Sequence, residues 1–306
     1  MSRPGPGGQG LRALVIFNPA AGRRRRPALV QALDHLRRHG LTATVHETTG
    51  PGDAETAAAA ATRAAFDLIV SAGGDGTLNE VVNGLGPEPP PLAVLPLGTA
   101  NVLAAEIGLP RDPAGIAEVI AARRTLPFWP GTVNGRRFAL MAGVGIDAEV
   151  VAAVTLRQKR LFGRGAYVGQ ALVVLCRGGR RHDPVEIDGR TYRAASAIVT
   201  RCRFYGGAHL LAPGASLFRP ELHVCLAQGL RRVDYLRYGA ALLRDRLPLQ
   251  ADLAIHRALT VTIPGPAAAP VQCDGNILSR LPATFAVAKA PIPLVVPAAA
   301  SGAAVL

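Results

Sequence analysis

The sequence predicts two domains: a parallel α/β domain over residues 11–126, then an antiparallel β-sandwich over residues 127–288. Residues 289–306 form a C-terminal segment able to pack back on the first domain. Three observations carry this fold class. Between Leu11 and Leu95, short apolar runs alternate with helical patterns at the spacing of strand–helix–strand units. From Phe128 the texture changes to short apolar runs punctuated by Pro, Gly and an Asn-Gly pair, as in all-β domains. The 306 residues are 49% hydrophobic and 18% charged, enough for two cores and too apolar for a disordered chain.

Residues 1–10 are rich in Gly and Pro. Gly5, Gly7 and Gly10 have G-x-G-x-x-G spacing, but no strand precedes them, so the match carries no phosphate-binding meaning. Leu11–Phe17 is the first buried strand. It ends in Asn18-Pro19-Ala20-Ala21-Gly22, a turn whose Asn can bond its own backbone while Pro fixes φ. Arg23 to Arg26 then precede a helical pattern from Pro27 to about Arg38. That run reads equally as a solvated face and as a contact for phosphate or a lipid surface. Leu41–His46 comes next as a strand, Asp53–Ala65 as an Ala-rich helix, and Leu68–Ser71 as a third strand. Pro87–Pro91 is a rigid connector to a fourth, Leu92–Leu95.

The chain is organised around the turn after the third strand, Gly73-Gly74-Asp75-Gly76-Thr77, which opens a helix marked by Leu78, Val81, Val82 and Leu85. Paired glycines permit positive φ and let a ligand approach the backbone N–H groups. The helix N-terminus beyond them favours bound phosphate. Asp75, among the glycines, is placed to hold a metal ion or to accept a proton beside that phosphate. Thr77 and Glu80 have capping-box spacing, which accounts for Glu80 unaided. Pro96-Leu97-Gly98-Thr99-Ala100-Asn101 repeats the arrangement after the fourth strand, with Thr99 and Asn101 supplying an N-cap and a side-chain amide. All three turns fall at the carboxyl ends of parallel strands, where ligands of such sheets bind.

In the second domain, Asn134-Gly135 predicts a hairpin between Thr132-Val133 and Phe138–Met141. A helix-like insert comes after it, then strand patterns at Val185–Ile187, Tyr192–Thr200, Leu222–Ala227, Leu259–Ile263 and Phe285–Ala288. Met141 to Val150, M-A-G-V-G-I-D-A-E-V, has G-x-G-x-x-A spacing but lacks the βαβ context of a dinucleotide turn.

The net charge of +13 implies an anionic partner: a phosphorylated ligand, an acidic membrane surface or nucleic acid. Aromatics are 5% and do not alternate with the basic residues, and no nucleic-acid-binding motif is present, so nucleic acid is not expected. Cys176, Cys202, Cys225 and Cys273 show no C-x-x-C or Cys/His pattern, and are expected reduced and buried. No apolar run reaches the roughly 20 residues of a membrane span, and the first residues lack a secretory signal. The expected place is the cytoplasm, peripheral to the inner face of the membrane.

Several of these stretches together resemble the diacylglycerol kinase catalytic-domain family, which includes bacterial lipid kinases and sphingosine kinases and lies in the NAD kinase superfamily. G-G-D-G-T is its signature, N-P-A-A-G resembles its N-P-x-S/A-G opening, and P-L-G-T-A-N resembles P-x-G-T-x-N-D, with Val102 where many relatives carry Asp. Met141 to Val150 is similar to the family's G-x-G-x-D-A stretch. Lys159-Arg160-Leu161-Phe162-Gly163-Arg164 fits K-R-x-x-G-R-x-A-Y, Tyr205-Gly206-Gly207 fits Y-G-G, Ala212-Pro213 fits part of P-x-A, and Val271 to Asn276 resembles V-Q-x-D-G-E. The resemblance implies ATP and Mg²⁺ in the cleft between the domains and γ-phosphoryl transfer to a lipid hydroxyl, on a diacylglycerol-like or sphingoid acceptor. It implies Asn18, Gly73, Gly74, Asp75, Gly76, Thr77, Glu80, Thr99 and Asn101 at the nucleotide, and Asp147 at the lipid headgroup. Asp75 and Asp274 are the expected metal ligands, and Asp75, Asp274 and Asn276 the catalytic set. Arg157, Lys159, Arg160 and Arg164 around Leu161-Phe162 form the expected contact with an anionic bilayer. A homodimer is left open.

Two departures mark this chain. The relatives' Asp-Gly turn after P-x-A-S is Arg219-Pro220 here. The relatives' D-G-E glutamate, proposed to take the proton from the lipid hydroxyl, is Asn276, and an amide cannot act as a base. With that glutamate replaced, Asp75 is the first candidate for base. The rival readings are a non-catalytic lipid- or nucleotide-binding relative, for which Asn276 argues, and an NAD kinase, which shares G-G-D-G-T.

Overall fold

The first strand sets the architecture. In β1 (Leu11–Phe17), Leu14 and Ile16 enter one core while Ala13, Val15 and Phe17 enter another. A strand buried on both faces needs helices on both sides of its sheet. One layer is α2 (Asp53–Ala59) with α3 (Asp75–Gly84), and the other is α1 (Arg25–Arg38) with α5 (Pro113–Ala122). The computed structural model describes residues 10–21, 25–153 and 182–300. Its first sheet has the order β2–β1–β3–β4–β20–β5, where β2 is Leu41–Glu47, β3 Leu68–Gly73, β4 Leu92–Pro96, β5 Thr125–Phe128 and β20 Ile292–Val295. Strands β1 to β4 and β20 run parallel, and β5 pairs antiparallel with β20.

The second domain is two antiparallel sheets. One has the order β10–β9–β16–β19–β6–β7 (Arg190–Ala194, Asp183–Ile187, Thr260–Ile263, Ala283–Val287, Gly131–Val133, Arg136–Phe138). The other has the order β15–β14–β11–β8–β17–β18 (Leu253–Ala258, Leu222–Ala227, Ser196–Thr200, Met141–Val144, Pro270–Cys273, Asn276–Arg280). Val133, Phe138, Val261 and Phe285 from the first meet Val199, Val224, Leu226 and Val271 from the second, so the sheets enclose one core. Asn134 (φ 47°) and Gly135 (φ 84°) form the expected hairpin between β6 and β7, both left-handed as a type I′ turn requires. A short hairpin, β12 (Phe204–Tyr205) with β13 (His209–Leu210), and three helices, α4 (Val102–Glu106), α6 (Ile146–Ala153) and α7 (Arg232–Leu242), complete the described chain.

Several elements differ from the sequence expectation. Helix α2 stops at Ala59 rather than Ala65, because the chain turns to bring Asp67 to Arg12. The Arg12 N–H donates to Asp67 Oδ2 at 2.9 Å, and its guanidinium takes the Ala64 carbonyl at 2.9 Å. Tyr192–Thr200 is two strands on different sheets, β10 and β11, and Phe138–Met141 divides likewise between β7 and β8. An unbroken apolar run does not show where a strand leaves one sheet for the other. Strands β15, β17 and β18 and helix α7 have no counterpart in the sequence reading. Cys202, Cys225 and Cys273 are buried and free, as expected, and Cys176 lies outside the described residues.

The domains share a core. Ala139, Leu140, Met141, Cys202 and Leu217 of the second pack with Leu78, Val82, Val102 and Leu103 of the first. Arg136 donates to both oxygens of Glu55 at 2.8 and 2.7 Å, and Arg203 Nε to Glu106 Oε1 at 2.9 Å. Among the described residues no helix is long and apolar enough to cross a membrane.

At the end of α3 a Cβ on Gly84 would lie 2.1 Å from the Glu55 carbonyl oxygen of α2. Gly84→Ala is expected to force α2 and α3 apart at a cost of about 1–3 kcal/mol, seen as a lower thermal midpoint. An unchanged midpoint would show that the helices are not held at this spacing.

Candidate functional site

The glycine turn is tight for reasons of space. None of Gly73, Gly74 or Gly76 has positive φ; Gly74 is extended at φ −101°, ψ −173°. What the turn requires is the absence of side chains. A Cβ on Gly73 would lie 2.5 Å from Thr77 Oγ1, and one on Gly74 would lie 3.2 Å from the Cα of Gly98. A Cβ on Gly98 would lie 2.5 Å from the Cα of Gly74 and 2.1 Å from Asn101 Oδ1. The turns after β3 and β4 therefore lie backbone against backbone, as one surface.

The side chains on this surface hold one another. Asn18 accepts the N–H of Ala20 at 2.9 Å, the local turn bond expected of it, and donates through Nδ2 to Thr77 Oγ1 at 3.0 Å. The capping box does not form: α3 starts at Asp75, so Thr77 sits in the third position and serves Asn18. Glu80, half-buried in the next turn, takes no part in the cap. Asp75 Oδ2 accepts the N–H of Val102 at 3.2 Å, so the acid of one turn caps the helix of the other. Asn101 is left-handed at φ 47° and donates to the Gly98 carbonyl at 2.8 Å. Its Oδ1 is buried without a hydrogen-bond partner, which costs free energy unless a ligand or water supplies a donor. A cavity of about 20 Å³, room for about one water, lies beside it, lined by Gly73, Gly74 and Asp75. Thr99 is exposed on the bend between Gly98 and Asn101.

The second domain closes on this surface through one turn. Asp274 (φ 48°) and Gly275 (φ 80°) join β17 to β18, the Asp-Gly type I′ arrangement. The Asp274 carboxylate is buried and accepts four hydrogen bonds. Oδ1 takes the N–H groups of Leu140 and Met141, both at 2.9 Å, and Oδ2 takes Ala139 N–H at 2.6 Å and Asn79 Nδ2 at 2.8 Å. Burial pushes its pKa up to about 6, against those bonds, which favour the ionised form. Beyond the turn, the Asn276 amide nitrogen lies 3.2 Å from where a Cβ on Gly76 would sit. Asn276, where the family resemblance implies a glutamate, thus lies beside the glycine turn.

Asp147, in the first turn of α6, is buried on the same side. Its carboxylate accepts from the Tyr205 hydroxyl, and from Gln272 Nε2 at 2.6 Å. Gln272 Oε1 in turn accepts the N–H of Gly275 at 3.0 Å, linking Asp147 to the Asp274–Asn276 turn. Burial raises the Asp147 pKa and the two hydrogen bonds oppose it. Gly143 leaves room for this acid, since a Cβ there would lie 1.7 Å from Asp147 Oδ2.

The other departure, Arg219-Pro220, is held from beneath by Arg201. That side chain is fully buried and donates to the carbonyls of Trp129 at 2.7 Å, Leu217 at 3.3 Å, and Arg219. Burial lowers its pKa to about 10, so it stays charged at neutral pH.

The structure thus brings Asn18, Gly73 to Thr77, Asn101 and Asn276 to one place, with Asp147 and Asp274 behind it. Asn79, Tyr205 and Gln272 are partners to which the sequence reading assigned no role. Asn79 offered one signal: a poor helix former at a position of α3 between Leu78 and Val81. Arg23, Arg24, Arg157, Lys159, Arg160 and Arg164 lie outside the described residues. Arg26 is exposed, pairs with Glu47 and lies over the Phe17 ring at 5.9 Å.

Among the described residues no three His, Cys, Asp or Glu stand together as a metal site. Mg²⁺ often binds through one carboxylate completed by phosphate oxygens and water, and Asp75 at the turn surface fits that use. Asp274 does not fit as a direct ligand: its four lone-pair positions are filled by N–H donors. Asp274 is accordingly assigned no metal-ligand role.

Comparison with known proteins places these features. A family model described as the diacylglycerol kinase catalytic domain matches residues 12–133, and one described as the YegS C-terminal NAD kinase beta sandwich-like domain matches residues 141–299. The diacylglycerol kinase of Bacillus subtilis is 32% identical over 280 residues, covering 90% of this chain and 92% of that protein. That of Staphylococcus haemolyticus is 27% identical over 278 residues, covering 89% and 84%. The crystal structure of a diacylglycerol kinase from Bacillus anthracis shares the fold, with a TM-score of 0.71 at 19% identity over 96% of this chain and 100% of that one.

Asp274→Asn turns an amide NH₂ toward N–H donors. It is expected to cost about 2–3 kcal/mol, lowering the thermal midpoint. A midpoint equal to the parent's would show that the four bonds do not hold the turn.

Proposed function

Because the chain belongs to the diacylglycerol kinase catalytic-domain family, we propose that it is an ATP-dependent lipid kinase acting on a diacylglycerol-like or sphingoid hydroxyl. The observation that carries this reading is the placement of Asn276 beside Gly76 across the domain junction, its amide nitrogen 3.2 Å from where a Cβ on Gly76 would sit. It sets the turn of the substrate domain against the N-terminus of α3, where a transferring phosphoryl group would be bound.

In this reading the β- and γ-phosphates of ATP lie at the N-terminus of α3, against the N–H groups of Gly76 and Thr77. Asn18, braced by Thr77, and Asn101, with its unpartnered Oδ1, border the nucleotide, beside Thr99. Asp75 would hold Mg²⁺ together with the phosphates, and the ion would supply positive charge against that developing on the oxygens. The lipid hydroxyl is oriented by the Asn276 amide, with Asp147 holding the polar headgroup. Where Asp75 does not hold the ion, it accepts the hydroxyl proton instead as the oxygen–γ-phosphorus bond forms and the bond to the ADP oxygen breaks. Asp274 serves as a positioning residue. The protein works at the inner face of the membrane, in contact with its lipid substrate. The Asn276 amide equally supports a second reading, a family member that binds nucleotide and lipid without turnover.

Transfer of label from ATP into a mixed lipid extract with Mg²⁺ tests the two. Labelled lipid is expected with the parent and at least about 100-fold less with Asp75→Ala. ATP binding without labelled lipid would establish the second reading. Asn276→Glu is expected to raise the rate about tenfold or more by supplying a second base; an unchanged rate would mean that proton removal does not limit turnover. Asn101→Ala is expected to raise the KM for ATP about tenfold with kcat little changed, because it removes the amide oxygen that a nucleotide donor would satisfy. An unchanged KM would remove Asn101 from the nucleotide site.

A further inference from the structure

Helix α7 covers the outer face of the third sheet, where Tyr235, Tyr238 and Ala241 pack with Leu211, Cys225 and Leu247. Its other face carries large apolar side chains in the open: Val233, Leu236 and Leu243 are 56, 54 and 70% exposed. With Ala240 between them, these positions recur every three or four residues and so form one stripe along the helix. Leu230 before the helix and Leu249 after it are exposed as well. Arg231, Arg232, Arg237, Arg244 and Arg246 accompany the stripe. Asp234 and Asp245, the acids of this segment, are turned to structural work: Asp234 is buried and accepts the Arg231 N–H at 2.9 Å, and Asp245 accepts the Leu210 N–H at 2.8 Å. Arg231 and Arg237 are ion-paired with Asp234 and Asp252, and the five arginines against Asp234, Asp245 and Asp252 leave the outward charge positive.

A soluble anion would not use the leucines, and a purely apolar partner would not use the arginines. Exposed aliphatic side chains among arginines match a surface that is apolar within and anionic above. The helix also connects to the site. Asp245 holds the β12–β13 hairpin through Leu210, and Tyr205 of that hairpin donates to Asp147. Ile146 and Tyr205 border the same core as the buried face of α7.

We propose that the exposed face of α7 docks this protein on an anionic phospholipid bilayer. The purpose of that docking, delivery of lipid to the Asp147 side, rests on the lipid-kinase reading; the docking itself is measured without turnover. The full-length protein is sedimented with phosphatidylcholine vesicles, with or without phosphatidylglycerol. The double variant Leu236→Asn, Leu243→Asn is compared, and its fold is checked by thermal melting. The parent is expected to bind the phosphatidylglycerol vesicles, less so at high salt, and the variant to bind about tenfold or more weakly. On a soluble short-chain acceptor the variant should match the parent. Equal vesicle binding by parent and variant, or no binding by the parent, would overturn the proposal. A parent dimer that the variant converts to monomer, with vesicle binding unchanged, would assign the face to a second copy of the chain. If the parent fails on the short-chain acceptor yet the vesicle difference stands, the kinase reading falls and the docking surface remains.

Discussion

The carboxylate of Asp274 holds the structure together at the point where function is expected. Four N–H groups converge on it, three from the backbone at residues 139–141 and one from Asn79 of α3. The first three fix the start of β8, and the fourth ties that strand to the helix that opens from the glycine turn. An isolated buried carboxylate would be strongly unfavourable, but one with every lone pair satisfied specifies a single arrangement of its donors. Asn83 reinforces the joint, accepting the Arg137 N–H at 2.9 Å and donating to the Arg137 carbonyl at 2.9 Å. The relation between the two domains thus rests on these hydrogen bonds to α3, on the ion pairs of Arg136 with Glu55 and Arg203 with Glu106, and on the shared apolar core behind them.

This joint explains how a chain can keep a family's geometry while losing one of its groups. The Asp-Gly turn is held by Asp274 and by Gln272, whichever residue comes after it. Asn276 accordingly lies beside Gly76, at the position where the family resemblance implies a glutamate. Position is conferred by the turn and acid–base capacity by the side chain. Here the turn is present and the side chain after it is an amide. The Arg219-Pro220 departure has a comparable support in Arg201, whose guanidinium gathers three carbonyls of neighbouring loops.

Legibility in the sequence varied with the range of the interaction. Strand β1 and the turns after β3 and β4 were plain, because buried strands and glycine turns are recorded in consecutive residues. The Asn134-Gly135 hairpin was equally plain, since its left-handed pair is a local demand. The glycine turn was recognised for a partly wrong reason: its glycines are needed for close approach of two loops, and their φ values are ordinary. The capping box of Thr77 and Glu80 failed because helix α3 begins two residues earlier, where Asn18, 59 residues away, claims the threonine hydroxyl. Tyr192–Thr200 read as one strand because its residues are uniformly strand-forming; only the two sheets divide it.

By itself the sequence determined the fold class, the order of the first four strands and the turns that carry the family motifs, since hydrophobic periodicity and glycine placement are properties of adjacent residues. Tertiary structure decided which polar groups remain available for chemistry. Asp274 and Asp75 are both single acids beside a glycine in the sequence. Packing surrounds one with four donors from distant segments, whereas the other is half-buried in the glycine turn and accepts the N–H of Val102. That difference depends on contacts between residues up to 195 positions apart, which no local pattern contains.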